Sequence, residues 1–164
     1  MSIHAALVKT EEQKISVENA KKFIYSGDNW AESIFIGRVR NENSGKKVTA
    51  VTYDAHDQAV IKSFQLICNE AKNKFDNNAK IFLEHATGYA SVGEISILIA
   101  VGSGHRDEAF KICRYILEEV KHQSPIWKKE HYADGKEEWL AGHSLRSKKE
   151  VKLWQKIKLA QQFW

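Results

Sequence analysis

Residues 93–121 read GEISILIAVGSGHRDEAFKICRYILEEVK, and the division of this stretch decides the fold. Ile95, Ile97, Ile99 and Val101 alternate with period two, the pattern of a half-buried strand. From His105 the apolar spacing becomes helical, through Phe110, Cys113, Leu117 and Val120, and predicts a helix to about Lys121. Gly102-Ser103-Gly104 joins the two, and Pro125, the only proline, marks the end of the region.

Working outward, Lys80–His85 reads as the strand before this one, with Gly88 and Gly93 bounding the connection. Further upstream, residues 3–9 suit a short strand, and Ser16 caps a helix to about Ser26, stopped by Gly27. Ala31–Arg40 and Val48–Tyr53 read as strands around the loop Asn41-Glu-Asn-Ser-Gly45. Val60, Phe64, Ile67, Ala71 and Phe75 form a helical stripe over 57–75. Beyond Pro125, Ile126–His131 and Glu138–Leu140 flank an Asp134-Gly135 turn, a short-hairpin signal. Strands and helices mix without a strict βαβ rhythm, so the expected class is α+β, a single domain with an antiparallel sheet and packed helices.

Composition narrows the function. The 164 residues, 43% apolar and 28% charged, suit one globular core rather than disorder. No apolar run reaches the roughly 20 residues of a membrane span, and the start shows no signal-peptide pattern, so a cytoplasmic protein is expected. Cys68 and Cys113 fall in helical apolar patterns and are expected to be buried free thiols. The net charge of +4 is uneven: residues 143–164 hold six basic side chains against one acidic, and the rest of the chain is at −1. Basicity belongs to this tail, where Leu153, Ile157, Ala160 and Trp164 form a helical stripe, so a body of 1–142 and a helical tail of 143–164 are expected and a nucleic-acid role is not. The histidines have no metal-ligand spacing, so no metal site is expected.

Four places can carry chemistry. At Gly102-Ser-Gly-His-Arg106 two glycines allow close backbone approach, and a helix start with His105 and Arg106 suits an anion; the alternative is a plain strand-to-helix turn. Lys121 lies at the edge of an apolar stripe, where burial would free its amine as nucleophile or base, or where it simply favours a helix C-terminus. In Pro125-Ile-Trp-Lys-Lys-Glu130, strand alternation sends Ile126, Lys128 and Glu130 to one face and Trp127, Lys129 and His131 to the other. Lys128 and Glu130 then share a pocket suited to a flat anionic substrate, unless the segment is an edge strand with protective lysines. Arg38 and Arg40 share a side, ready to clamp a phosphate or to pair with Glu42.

Taken in order, Phe35-Ile-Gly-Arg-Val-Arg-Asn41, Val48-Thr-Ala-Val-Thr-Tyr-Asp-Ala55, His85-Ala-Thr-Gly88, Val92-Gly-Glu94, His105-Arg-Asp-Glu-Ala-Phe110 and Pro125-Ile-Trp-Lys-Lys-Glu130 with Trp139 closely resemble the molybdopterin synthase large-subunit family over about residues 15–140. The resemblance implies an α/β hammerhead-type fold and a homodimer with a small ubiquitin-like subunit at each end, a heterotetramer. That subunit carries sulfur as a thiocarboxylate on its C-terminal Gly-Gly. The implied substrate is cyclic pyranopterin monophosphate, the implied product molybdopterin, and no cofactor is implied. Carried over by motif, Lys121 and Lys128 resemble the catalytic lysines. Arg40, His105 and Arg106 resemble the anion-binding residues, and Phe35 and Glu130 fall on other pocket positions. Ala86 stands where the family usually has arginine, which implies one pocket cation fewer or one supplied elsewhere. A rival expectation is a paralogue that keeps the fold and partner contact without turnover. Because the chain ends Phe163-Trp164, the sulfur donor is expected on another chain.

Overall fold

The computed structural model describes residues 1–140, so the basic tail expected at 143–164 lies outside the described residues. Within them the order is β1 (Ile3–Lys9), α1 (Val17–Ile24), β2 (Ala31–Arg38), β3 (Glu42–Asn43), β4 (Lys46–Ala55), α2 (Asp57–Phe75), β5 (Lys80–Ser91), β6 (Ile95–Ser103), α3 (Arg106–Gln123), β7 (Ile126–Tyr132) and β8 (Glu137–Leu140). This is the expected α+β architecture. One sheet runs β2-β6-β5-β4-β7-β8 with antiparallel neighbours, β3 forms a hairpin with β4, and β1 joins β5 as a parallel strand. The sheet is antiparallel as expected, with β1 adding one parallel pair. That pair follows from the crossover between β1 and β5, which holds two helices and three strands rather than a hairpin turn.

Sheet alternation separates two cores. Ile81, Leu83, Ile97, Ile99 and Val101 face α2 and α3, meeting Phe64, Ile67, Ile112 and Ile116. The opposite phase, Phe82, Leu98 and Ala100, packs with Ala20 and Ile24 of α1 and with Val51. β6 is therefore buried on both faces, not half-buried as its Ile/Val alternation predicts. Apart from Leu98 the other phase holds only Ser96, Ala100 and Gly102, small residues that hide the second face from the pattern, and α1 approaches it closely. A Cβ on Gly102 would stand 2.6 Å from the Ile24 carbonyl oxygen.

β5 also runs further than expected, to Ser91, and Gly88 lies inside it rather than in the connection. The strand's first part pairs with β6 and β1, and its last four residues pair with β4. Gly88 sits at that handover with φ +89°, where a side chain would also collide with Thr10 and Glu11.

Local chemistry sets the ends. Ser16 accepts the Asn19 N–H and starts α1 as read, but the helix stops at Ile24. α2 covers 57–75 as expected, with His56 as its N-cap. β2 ends at a register shift between Gly37 and Arg38. Ser44 and Gly45, both at positive φ, make the two-residue turn joining β3 to β4. Cys68 and Cys113 are buried and free. No helix among the described residues is long and apolar enough to cross a membrane.

Candidate active site

A cavity of about 510 Å³ opens where the last turns of α3 overhang the sheet. Five strands and one helix line it: Phe35, Gly37 and Arg38 from β2, Tyr53 from β4, His85 from β5, Ser96 and Ile97 from β6, Lys128 from β7, and Leu117, Glu118, Val120 and Lys121 from α3. Arg40 reaches it from the segment after β2. Lys121 and Lys128, 7 residues apart in the chain, meet here because α3 ends, turns at Pro125 and returns as β7.

The alternation read in β7 is what the sheet builds. Lys128 faces the cavity and its Nζ lies 3.0 Å from Glu130 Oε1, while Lys129 pairs with Glu137 and covers the Trp139 ring on the other face. β7 is not an edge strand, since β4 and β8 flank it. Trp127 is exposed on that far face, so the aromatic wall of the cavity comes from Phe35 and Tyr53 instead.

Glu130 differs in role from the expectation. It has no solvent exposure and does not line the cavity. Its Oε2 accepts from Asn43 Nδ2 at 2.9 Å and from the Tyr132 hydroxyl at 3.0 Å. Burial works against its charge, but hydrogen bonds from Asn43, Lys128 and Tyr132, with the Lys128 charge, outweigh it and hold the carboxyl below its ordinary pKa. Burial and that same carboxylate push the Tyr132 phenol up to about 12. Glu130 thus lies beneath Lys128 and pairs with it from outside the cavity lining.

Arg38 and Arg40 both reach the cavity, as their spacing predicts, because Val39 between them is buried. Arg38 Nη1 donates to the Gly93 carbonyl at 2.8 Å, and Arg40 Nη2 donates to Asn43 Oδ1 at 2.8 Å, not to Glu42. Gly37 is required by packing: a Cβ there would lie 2.6 Å from Ile97 Cγ2. Lys121 lines the cavity and is exposed.

His105 and Arg106 are not brought to this cavity. They sit at the N-terminus of α3, both exposed, about 22 Å along the helix from Lys121 by the rise per residue. The glycine turn before them already holds an internal anion. Asp76 accepts from Ser103 Oγ at 2.6 Å and from the Asn78 N–H at 2.8 Å, and the Gly104 N–H also donates to it. Burial opposes the Asp76 charge, but these bonds and nearby Lys72 prevail and hold it below the carboxylate range. Trp30, 79% exposed, meets the His105 ring edge-on, and Phe110 is exposed on the same helix.

Sequence reasoning missed His85, Tyr53, Ser96 and Asn43. His85 lines the cavity edge-on to Tyr53, and its Nδ1 lies 2.8 Å from the Ala86 carbonyl oxygen. Burial lowers its pKa to about 4, partly offset by that bond, so the imidazole is neutral at pH 7. The Ala86 methyl points the other way, into the core beside Val8 and a smaller cleft lined by Lys14 and Glu94. Ala86 is therefore not part of the wall of the cavity of about 510 Å³.

Comparison with known proteins shows the family to which the chain belongs. The family described as MoaE protein matches residues 10–123. A relative from Synechococcus elongatus, named molybdopterin synthase catalytic subunit, is 40% identical over 131 residues, 80% of this chain and 79% of its own. One of the same name from Pyrococcus abyssi is 39% identical over 137 residues, covering 84% of this chain and 90% of its own. The solved molybdopterin synthase from Staphylococcus aureus superposes with a TM-score of 0.77 at 29% identity, covering 84% of this chain and 96% of that one.

Proposed function

Because this chain belongs to the MoaE family, we propose that it is the catalytic subunit of a molybdopterin synthase and works in the cytoplasm. It takes sulfur from the C-terminal thiocarboxylate of a small ubiquitin-like subunit and transfers it to cyclic pyranopterin monophosphate. One observation carries the reading: two lysines from different elements converge with two arginines on a single cavity of about 510 Å³, floored by apolar and aromatic side chains. A cavity of this size fits a tricyclic phosphorylated ligand. The thiocarboxylate sulfur displaces an oxygen substituent on the substrate, and water then cleaves the resulting thioester, returning the small subunit as a carboxylate. Lys121 and Lys128 supply the protons these steps need, and Arg38 and Arg40 hold the phosphate.

His105 and Arg106 fit this scheme only through a second copy. Being about 22 Å from Lys121 on one rigid helix, they cannot bend into their own cavity. In a homodimer they serve the cavity of the partner chain, and the exposed Trp30 and Phe110 around them are the contact surface.

The test is reconstitution. Purified chain, a small subunit bearing a Gly-Gly thiocarboxylate, and cyclic pyranopterin monophosphate should yield molybdopterin, measured as its fluorescent oxidation product. A folded chain that binds the small subunit and yields no product would instead be the paralogue without turnover.

A further inference from the structure

We infer that Asn43 is a positioning residue, whose side-chain amide joins Arg40 to the Glu130–Lys128 pair so that the two cavity cations are set as one unit. The inference rests on the function proposed above. Four side chains form the line: Arg40 Nη2 donates to Asn43 Oδ1 at 2.8 Å, Asn43 Nδ2 donates to Glu130 Oε2 at 2.9 Å, and Glu130 Oε1 lies 3.0 Å from Lys128 Nζ.

The amide is fixed from both ends. Its oxygen must face the guanidinium, which only donates, and its NH2 must face the carboxylate, which only accepts. A flipped amide would set donor against donor and acceptor against acceptor. No carboxyl or alkyl side chain makes both bonds: aspartate would meet Arg40 but oppose Glu130 across the same short distance.

The backbone supports this placement. Ser44 and Gly45, with φ +51° and +77°, turn the chain immediately after Asn43, and Asn43 pairs with Lys46 across the turn. The Val48 N–H donates to the Asn41 carbonyl oxygen at 2.9 Å and closes the hairpin beside Arg40. The side chain is therefore held by a tight hairpin at one end and a buried carboxylate at the other. An arginine is long and rotamer-rich, and holding it costs entropy that a preformed acceptor offsets. With one Nη engaged, the remaining guanidinium donors keep a fixed direction for phosphate.

The consequence for catalysis is a set spacing between the phosphate-holding guanidinium and the reacting ammonium. This favours substrates whose phosphate and sulfur-accepting carbons stand at the matching separation.

Two measurements on the full-length chain test it. In Asn43→Ala, KM for cyclic pyranopterin monophosphate should rise about tenfold and kcat should fall by a similar factor, since both cations lose their common anchor. Added to Arg40→Ala, the same change should leave KM nearly where it was and still lower kcat. The second measurement needs no turnover: 13C-carboxyl NMR of Glu130 should show its titration midpoint higher in Asn43→Ala and higher again in Asn43→Asp. An unmoved Glu130 midpoint in folded Asn43→Ala protein, or kinetics unchanged by it, would overturn the inference. Failure of the wild-type chain to make molybdopterin would instead overturn the proposed function, with the NMR titration still deciding the role of Asn43.

Discussion

Lys128 and Glu130 sit two residues apart on one face of β7, with Nζ 3.0 Å from Oε1, and the strand gives them opposite surroundings. The lysine keeps 31% of its side-chain surface exposed toward the cavity, while the carboxylate has none. A buried anion that accepts from Asn43 and Tyr132 is a rigid base for a cation, so the ammonium is presented in one place while still facing the cavity.

Facing along β7 predicts a clear kinetic contrast. Lys128→Ala should lose about 100-fold or more in turnover, the usual range for a positioned proton donor or acceptor. Lys129→Ala, which loses only contacts to Glu137 and Trp139, should keep turnover within about threefold and stability within roughly 1 kcal/mol. Steady-state molybdopterin formation with matched circular dichroism spectra reads the difference; equal losses in both variants would contradict the facing.

His85 gives a pH signature. Its folded pKa of about 4 lies below the ordinary 6.5, so between those values the unfolded chain binds a proton that the folded chain refuses. Stability from this group is therefore complete above about pH 6.5 and is lost as pH falls toward 4, by on the order of 2–3 kcal/mol. Urea denaturation at several pH values should show that His85→Gln has a shallower decline over this window than the wild-type chain.

The two glycines before α3 should separate sharply. Gly102→Ala forces a methyl to within 2.6 Å of the Ile24 carbonyl oxygen and should cost about 1–3 kcal/mol. Gly104 has open space around it, so Gly104→Ala should be near neutral. Denaturant midpoints check this, and equal costs would mean that the approach of α1 is not what requires Gly102.

Shared cavities in a homodimer predict complementation. Lys128→Ala and Arg106→Ala should each be nearly inactive alone. Mixed and allowed to exchange subunits, they should recover about one quarter of wild-type activity, because half the dimers are mixed and each holds one intact cavity. No recovery, with subunit exchange shown by mass spectrometry, would place Arg106 outside the partner's cavity.

What the sequence determined by itself was local and periodic. The turn from period-two to helical spacing at 102–105 located β6 and α3, the Ser16 cap located α1, and alternation in 126–131 separated Lys128 from Lys129 before any contact was known. Each depends only on neighbours in the chain, which is why spacing reveals it. The order of its motifs likewise pointed to the family. Tertiary structure alone decided what distant segments do to one another. It made β6 buried on both faces through the approach of α1, and filled the glycine turn with the Asp76 carboxylate. It turned Glu130 from a pocket residue into a buried anchor, and brought in Asn43 and His85, which are 87 and 43 residues in sequence from Glu130 and Lys128. It also set His105 and Arg106 at the far end of the helix that ends near Lys121. Burial, charge neutralisation and cavity walls are sums over side chains that only the folded sheet places together, and no local pattern carries them.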